Sequence, residues 1–139
     1  MSVVEQVSIT VSAEAESISV VRHFVTSAGL FFDAATDMDV VALLTSELTA
    51  NAVDLGAGEV VVTVRCIDDR LRVEVRDFGY GLPEVLHPGA IDQGGGRGLM
   101  IVDQLADGWG VDQFLPGKIV WFEMASTTRS GDPLDRRVS

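Results

Sequence analysis

The sequence LLTSELTANAVDLG occupies residues 43–56 and has the pattern of an amphipathic helix. Glu47 and Asn51 lie four residues apart in it, and therefore on one face of that helix. A carboxylate and an amide beside an apolar stripe cost stability unless a polar group meets them. Taken alone, the two residues fit a satisfied polar core pair as well as they fit a ligand site. The stripe beside them consists of Val40, Leu43, Leu44, Leu48, Ala52 and Leu55.

Composition limits the class of protein. The 139 residues are enough for one domain, and a hydrophobic fraction of 47% excludes a disordered chain. No apolar run reaches the roughly 18 residues of a membrane span, and no signal-peptide pattern is visible, so we expect a cytoplasmic protein. The single cysteine, Cys66, allows no internal disulfide. The net charge of −11 argues against nucleic-acid binding and favours cationic partners, unless it serves solubility alone.

Hydrophobic periodicity predicts a strand and two helices in the first part of the chain. Alternating apolar residues indicate a strand over residues 6–12. Ser12 is the expected N-cap of the first helix, which we expect to end at Gly29. Thr36 is the expected N-cap of the second helix, which we expect to end at Gly56.

The rest of the chain predicts two hairpins with a helix between them. The first hairpin turns at residues 68–69, and the second spans residues 109–124. No period survives over residues 84–95, which we interpret as a mobile loop. A helix then opens within a glycine-rich turn. We therefore expect a single domain over residues 1–125, followed by a frayed polar tail over residues 126–139.

Residues 47–51 and residues 77–81 suit the metal, the reacting group and the base of a nucleotide. Asn51 offers a neutral amide oxygen, a suitable ligand for Mg²⁺ that phosphates already neutralise. Glu47, one turn earlier, is placed to accept a proton from a hydroxyl or water. Asp77 ends a buried strand and can accept a hydrogen bond from the adenine amino group. Gly79 and Gly81 remove side chains, so that a base and a ribose can approach the backbone.

A second glycine cluster suits the phosphates. Its backbone N–H groups at a helix N-terminus form an anion site, to which Arg97 can add charge. Either glycine pattern alone is weak, because turns and flexible loops have the same composition. The order and spacing of all the segments together favour nucleotide binding. The cluster consists of Gly94, Gly95, Gly96, Arg97, Gly98 and Leu99.

The segments ELTANA (47–52), RDFGYGLP (76–83) and GGGRGLMIVDQLAD (94–107) resemble the N box and the two glycine boxes of the GHKL ATPase superfamily. That superfamily includes gyrase B, heat-shock chaperones, MutL and histidine kinases. The short chain and its ending, WGV (109–111) and GKIVWFEM (117–124), are similar to anti-sigma-factor serine kinases of the RsbW and SpoIIAB type, especially actinobacterial ones.

This resemblance implies the Bergerat fold, an α+β two-layer sandwich in which helices cover one face of a mixed, mostly antiparallel sheet. ATP would lie between the helices, under a mobile lid formed by residues 84–95. Glu47 takes the position of the general base, Asn51 that of the Mg²⁺ ligand, and Asp77 that of the adenine ligand. Glycines 79 and 81 would line the base, and glycines 96 and 98 the phosphates.

The activity that the resemblance implies is that of an ATP-dependent protein serine/threonine kinase and anti-sigma factor. Such a protein binds a sigma factor and phosphorylates a serine of a STAS-domain anti-anti-sigma partner. It commonly forms a homodimer.

Two departures from the family pattern keep other interpretations open. Asp54 and Leu55 stand where these kinases commonly have a basic residue and a histidine. Lys118 and Ile119 follow Gly117, where the family tends to place a threonine that helps hold adenine. One alternative is a non-catalytic binding module, either gated by ATP or free of nucleotide. Another is a detached histidine-kinase catalytic domain whose acceptor histidine lies on a separate chain.

Overall fold

A computed structural model describes residues 4–55, 58–79, 97–114 and 117–126 of the chain. The helices in these ranges are α1 (Glu16–Phe31), α2 (Met38–Leu55) and α3 (Arg97–Leu105). The strands are β1 (Val4–Ser12), β2 (Glu59–Ile67), β3 (Arg70–Asp77), β4 (Gly108–Phe114) and β5 (Gly117–Ala125). The lid expected over residues 84–95 and the tail after residue 126 lie outside the described residues.

The described strands form one open sheet in the order β1-β2-β3-β5-β4. Every neighbouring pair in it is antiparallel. Both predicted hairpins are confirmed, since β2 pairs with β3 and β4 pairs with β5. The pairing of β3 with β5 joins the two hairpins and sets Asp77 opposite Lys118. The predicted α+β class is therefore confirmed, with a sheet that is wholly antiparallel in the described strands.

One face of the sheet and the helices share a single hydrophobic core. On β2, β3 and β5 alternate residues are buried, as expected for a sheet covered on one side. These strands contribute Val60, Val62, Val64, Leu71, Val73, Val75, Val120 and Phe122. The helices contribute Val21, Val25, Leu44, Leu48, Leu99 and Val102 to the same cluster. The helices thus form one layer and the sheet the other, as the two-layer sandwich requires.

The buried face of α2 differs from the predicted stripe. Leu44, Leu48 and Ala52 are buried as expected, but Leu43 is 42% exposed and Leu55 is 40% exposed. The prediction gave too much weight to apolar side chains, because it ignored threonines as candidates for burial.

Thr45 and Thr49 occupy the buried face instead, and both are fully buried. The Thr49 hydroxyl donates to the Thr45 carbonyl at 2.7 Å, so its polar group has a partner within the helix. Glu47 and Asn51 lie at the edge of this face and are half-buried. They are therefore partly open to a ligand.

The ends predicted for α1 are wrong. Ser12 is the last residue of β1, and the N-cap is Ala15, which makes no side-chain cap bond. Gly29 lies inside the helix, where an added Cβ would come within 2.5 Å of Met38 Cε. Gly29 therefore lies at a close contact between α1 and Met38 of α2, where an alanine would displace the Met38 side chain, and not at a helix end. The left-handed turn that follows α1 falls at Asp33, with φ of 56°.

The N-cap predicted for α2 is wrong by one residue. Asp37 Oδ1 accepts hydrogen bonds from the backbone N–H groups of Asp39 at 3.1 Å and Val40 at 3.3 Å. The Thr36 hydroxyl lies instead 3.5 Å from Met38 Sδ. Asp37 therefore satisfies the free N–H groups of the first turn, and its charge also favours the N-terminus of the helix dipole.

The outer face of the sheet carries a network of ion pairs. Arg72 contacts Glu74 at 2.9 Å and Glu123 at 3.0 Å, and its guanidinium lies 3.9 Å from the centre of the Trp121 ring. Arg65 also contacts Glu74, at 3.2 Å. Burial lowers the pKa of Arg72, but hydrogen bonds and the charges of the two glutamates outweigh it, so the pKa is raised. These arginines thus lie on the face of the sheet opposite the hydrophobic core.

Candidate functional site

Asn51 presents a polar group without a partner. Its Nδ2 is buried and forms no hydrogen bond with any described residue. A buried unpaired donor costs on the order of 1–3 kcal/mol, so native proteins keep few of them. An amide in this state fits a site that a ligand completes, and its oxygen is the type of ligand that Mg²⁺ takes.

Glu47 lies one turn before Asn51 and packs against the start of α3. A Cβ atom added to Gly98 would lie 2.5 Å from Glu47 Oε2 and 3.2 Å from Glu47 Cβ. With any larger residue at position 98, the Glu47 carboxylate would have to move away from the first turn of α3. Leu99, the next residue, is fully buried and anchors the helix in the core. The carboxylate thus lies beside the helix N-terminus where the sequence predicts a phosphate site.

Asp77 is the last residue of β3 and is only 2% exposed. Its Oδ1 accepts a hydrogen bond from the backbone N–H of Gly79 at 3.0 Å. The start of β5 passes so close that an added Cβ on Gly117 would collide with the backbone oxygen of Asp77. Gly79 is also buried. The aspartate and the first glycine of its motif therefore lie together at the end of β3.

Lys118 completes this part of the site, and the sequence interpretation missed its contact. The Lys118 ammonium lies 3.2 Å from Asp77 Oδ1 and 3.1 Å from Oδ2. The two side chains are only 2% and 3% exposed, so this is a buried ion pair. A signal was present in the sequence, since the alternation of Val120 and Phe122 places Lys118 on the buried face of its strand.

The other residues that depart from the family pattern do not contact the described part of the site. Asp54 and Leu55 are exposed in the last turn of α2. Ile119 is half-buried and, by the alternation of β5, faces away from Lys118. Lys118 is therefore the departure with a direct contact to a predicted site residue.

Several predicted residues lie outside the described part of the chain. These are Gly81, Gly94, Gly95 and Gly96, together with the side chain of Arg97. The backbone of Arg97 begins α3, which confirms that a helix opens after the glycine run. The phosphate loop and the lid remain predictions.

A metal site made by side chains alone is not found in the described ranges. Within residues 4–55, 58–79, 97–114 and 117–126, no group of at least three His, Cys, Asp or Glu side chains could hold an ion. The metal ligand that the sequence predicts, the Asn51 amide, lies within the described chain. Such a single neutral ligand fits an ion that a nucleotide brings with it.

The comparison with family models decides the superfamily. The chain matches the model of the histidine kinase-like ATPase domain over residues 11–124, which contains the helix of Glu47 and Asn51, the Asp77 motif and β5. The chain belongs to the histidine kinase-like ATPase family. A search of curated proteins finds no match. This ATPase domain therefore has the ATP-binding fold that the GHKL resemblance implies. None of its described helices is long and apolar enough to cross a membrane.

Proposed function

We propose that this histidine kinase-like ATPase domain is an ATP-dependent protein serine kinase and anti-sigma factor. It would bind a sigma factor and phosphorylate a STAS-domain anti-anti-sigma partner. The observation that carries the proposal is the placement of Glu47. Its carboxylate lies against the first turn of α3 and one helical turn from the unpaired Asn51 amide. A proton acceptor therefore lies next to the groups suited to phosphate and metal.

The proposed reaction is a direct phosphoryl transfer. The serine Oγ of the partner attacks the γ-phosphorus, a bond forms between them, and the bond to the β,γ-bridging oxygen breaks to release ADP. Glu47 accepts the proton of the serine hydroxyl. Asn51 would hold Mg²⁺, which neutralises charge on the phosphates. Asp77 would contact the base, and the rest of the chain would fix these groups in position.

The choice of serine and of the partners rests on the resemblance to the RsbW and SpoIIAB kinases. The same resemblance supports a homodimer. It covers the N box around Glu47, both glycine boxes and the final hairpin, which is broader than the motifs shared across the superfamily. A detached histidine-kinase domain would use the same ATP site but a histidine acceptor, so the phosphorylated product distinguishes the two.

The test is incubation of the full chain with [γ-³²P]ATP, Mg²⁺ and STAS-domain proteins encoded in the same genome. We expect acid-stable label on a serine of one of them, and loss of at least about 100-fold in rate for Glu47→Gln. Glu59→Gln is the matched control, because Glu59 is exposed at the start of β2. Acid-labile label, or equal rates for both variants, would contradict the proposal.

A second function, a partner-binding module without phosphoryl transfer, is favoured by the Asp77–Lys118 ion pair. The pair gives the buried aspartate a counter-charge without any base in the site. Such a module would label none of the STAS-domain proteins, and in its nucleotide-free form it would bind its partner equally well with and without ATP. A pull-down of each STAS-domain protein with and without ATP, run beside the labelling assay, separates the two functions.

A further inference from the structure

Lys118 changes what the base-binding position can recognise. It is the only lysine in the sequence, and it is buried against the aspartate that the proposed function assigns to the base. The inference that follows rests on that assignment. A buried lysine is costly unless it is paired, and here Asp77 compensates its charge.

A lone carboxylate selects strongly between purines. Where it faces the 6-substituent of the base, it can only accept hydrogen bonds, so it binds the 6-amino group of adenine and repels the 6-oxo oxygen of hypoxanthine or guanine. Rejection of this kind is large, because a buried polar group of the site is left unpaired or opposed. An unpaired Asp77 would therefore make the site specific for adenine.

The Asp77–Lys118 pair offers both a donor and an acceptor. Asp77 Oδ1 accepts hydrogen bonds from the Gly79 N–H and from Lys118, whereas Oδ2 lies 3.1 Å from the Lys118 ammonium as an ion-pair contact. Among the described residues, Oδ2 therefore keeps acceptor capacity. The ammonium has three N–H groups and donates one described hydrogen bond, so within the described residues it keeps donor capacity as well.

Both classes of purine match such a pair. A 6-aminopurine presents a donor at its amino group and an acceptor at N1, and a 6-oxopurine presents an acceptor at O6 and a donor at N1. We propose that Lys118 is a specificity-determining residue that relaxes base selection, so that the site binds 6-oxopurine nucleotides as well as 6-aminopurine nucleotides.

The test compares ATP with ITP, which differs from ATP only by the 6-oxo base. Calorimetric titration of the full chain in Mg²⁺ should give dissociation constants within about threefold of each other for wild type. In Lys118→Met, which removes the charge and the donor, ITP should become at least about tenfold weaker than ATP. A wild-type preference for ATP of tenfold or more overturns the proposal. A Lys118→Met ratio equal to that of wild type also overturns it.

A second measurement covers the case in which Lys118→Met does not fold, since it leaves Asp77 buried and unpaired. Labelling with [¹⁵N]lysine gives a single side-chain signal, because the sequence has one lysine. We expect the Nζ signal of wild type to shift on saturation with ITP and with ATP. A signal that neither nucleotide moves overturns the role of Lys118. ATP binding with exclusion of ITP overturns this inference alone, whereas no binding of either nucleotide overturns the proposed function as well.

Discussion

At the scale of single residues, Gly98 controls where the Glu47 carboxylate can lie. An alanine there would place its Cβ 2.5 Å from Glu47 Oε2, so the carboxylate must move. We expect Gly98→Ala to lower the rate of phosphoryl transfer by roughly 10- to 100-fold, because a misplaced base loses its alignment with the reacting hydroxyl. The change in the free energy of unfolding should stay within about 1 kcal/mol, since alanine favours a helix and the side chain of Glu47 is flexible.

Gly108→Ala is the matched control for this prediction. Its added Cβ would lie 3.9 Å from Trp121 and 4.0 Å from Glu123, which is ordinary packing distance. Rates of labelling for the two variants, measured with circular dichroism melts, check the prediction. Equal rates in Gly98→Ala and wild type would show that the position of Glu47 does not matter for transfer.

Cys66 is predicted to be an unreactive thiol. Burial raises its pKa, and the negative charges of Glu5, Asp68 and Asp69 raise it further. Because the thiolate is the reactive form, a thiol reagent at neutral pH should modify the folded chain at least about tenfold more slowly than the urea-unfolded chain. Equal rates for the two states would contradict the assignment.

The same shift predicts a dependence of stability on pH. Below the pKa of the unfolded thiol, about 8.5, both states carry the proton and Cys66 has no effect. Above it, the unfolded chain loses the proton first, so the free energy of unfolding falls as the pH rises towards the folded pKa. Urea titrations of wild type and Cys66→Ala from neutral to alkaline pH check this. We expect the free energy of unfolding of wild type to fall relative to that of Cys66→Ala as the pH rises.

At the scale of elements, substitutions at the start of α2 test which residue caps the helix that carries Glu47 and Asn51. Asp37→Ala should lower the free energy of unfolding by about 1 kcal/mol, because two backbone N–H groups of the first turn lose their acceptor. Thr36→Ala is the control and should cost less, since its hydroxyl contacts only Met38 Sδ in the described chain. Urea denaturation measures both, and a larger loss for Thr36→Ala would reverse the assignment.

The elements that the sequence predicts well are those with a strong local pattern. Both hairpins follow from strict alternation, and α2 ends at Leu55, directly before the glycine expected to stop it. The predicted ends of α1 are wrong where a tertiary contact outweighs a local preference. Gly29 is an example, since it serves the contact with Met38 rather than a helix end. The buried threonines of α2 were missed because hydropathy alone ranks them as polar.

The candidate site was predictable in its residue types and less so in its contacts. Glu47, Asn51 and Asp77 could be predicted because each lies in a short motif with a recognisable spacing. The ion pair of Asp77 with Lys118 depends on the pairing of β3 with β5, and the two residues are 41 positions apart in the sequence. No local pattern fixes that register. The sequence therefore shows that Lys118 departs from the family pattern, but it does not show that Lys118 contacts Asp77.

At the scale of the whole molecule, the two-layer fold brings the predicted site residues close together, although they lie on segments that are far apart in the sequence. The α2 helix packs on α3 and also on β3 and β5, so the helix of Glu47 and Asn51 touches the elements that carry Gly98, Asp77 and Lys118. The central claim is that these groups form one nucleotide site.

Calorimetric titration of the full chain with ATP, with Mg²⁺ and with EDTA in its place, tests that claim most directly. We predict saturable binding of one ATP per chain that is tighter in Mg²⁺, and loss of the magnesium effect in Asn51→Ala. Absence of binding at millimolar ATP would contradict the account, and so would an Asn51→Ala variant that keeps the full magnesium effect.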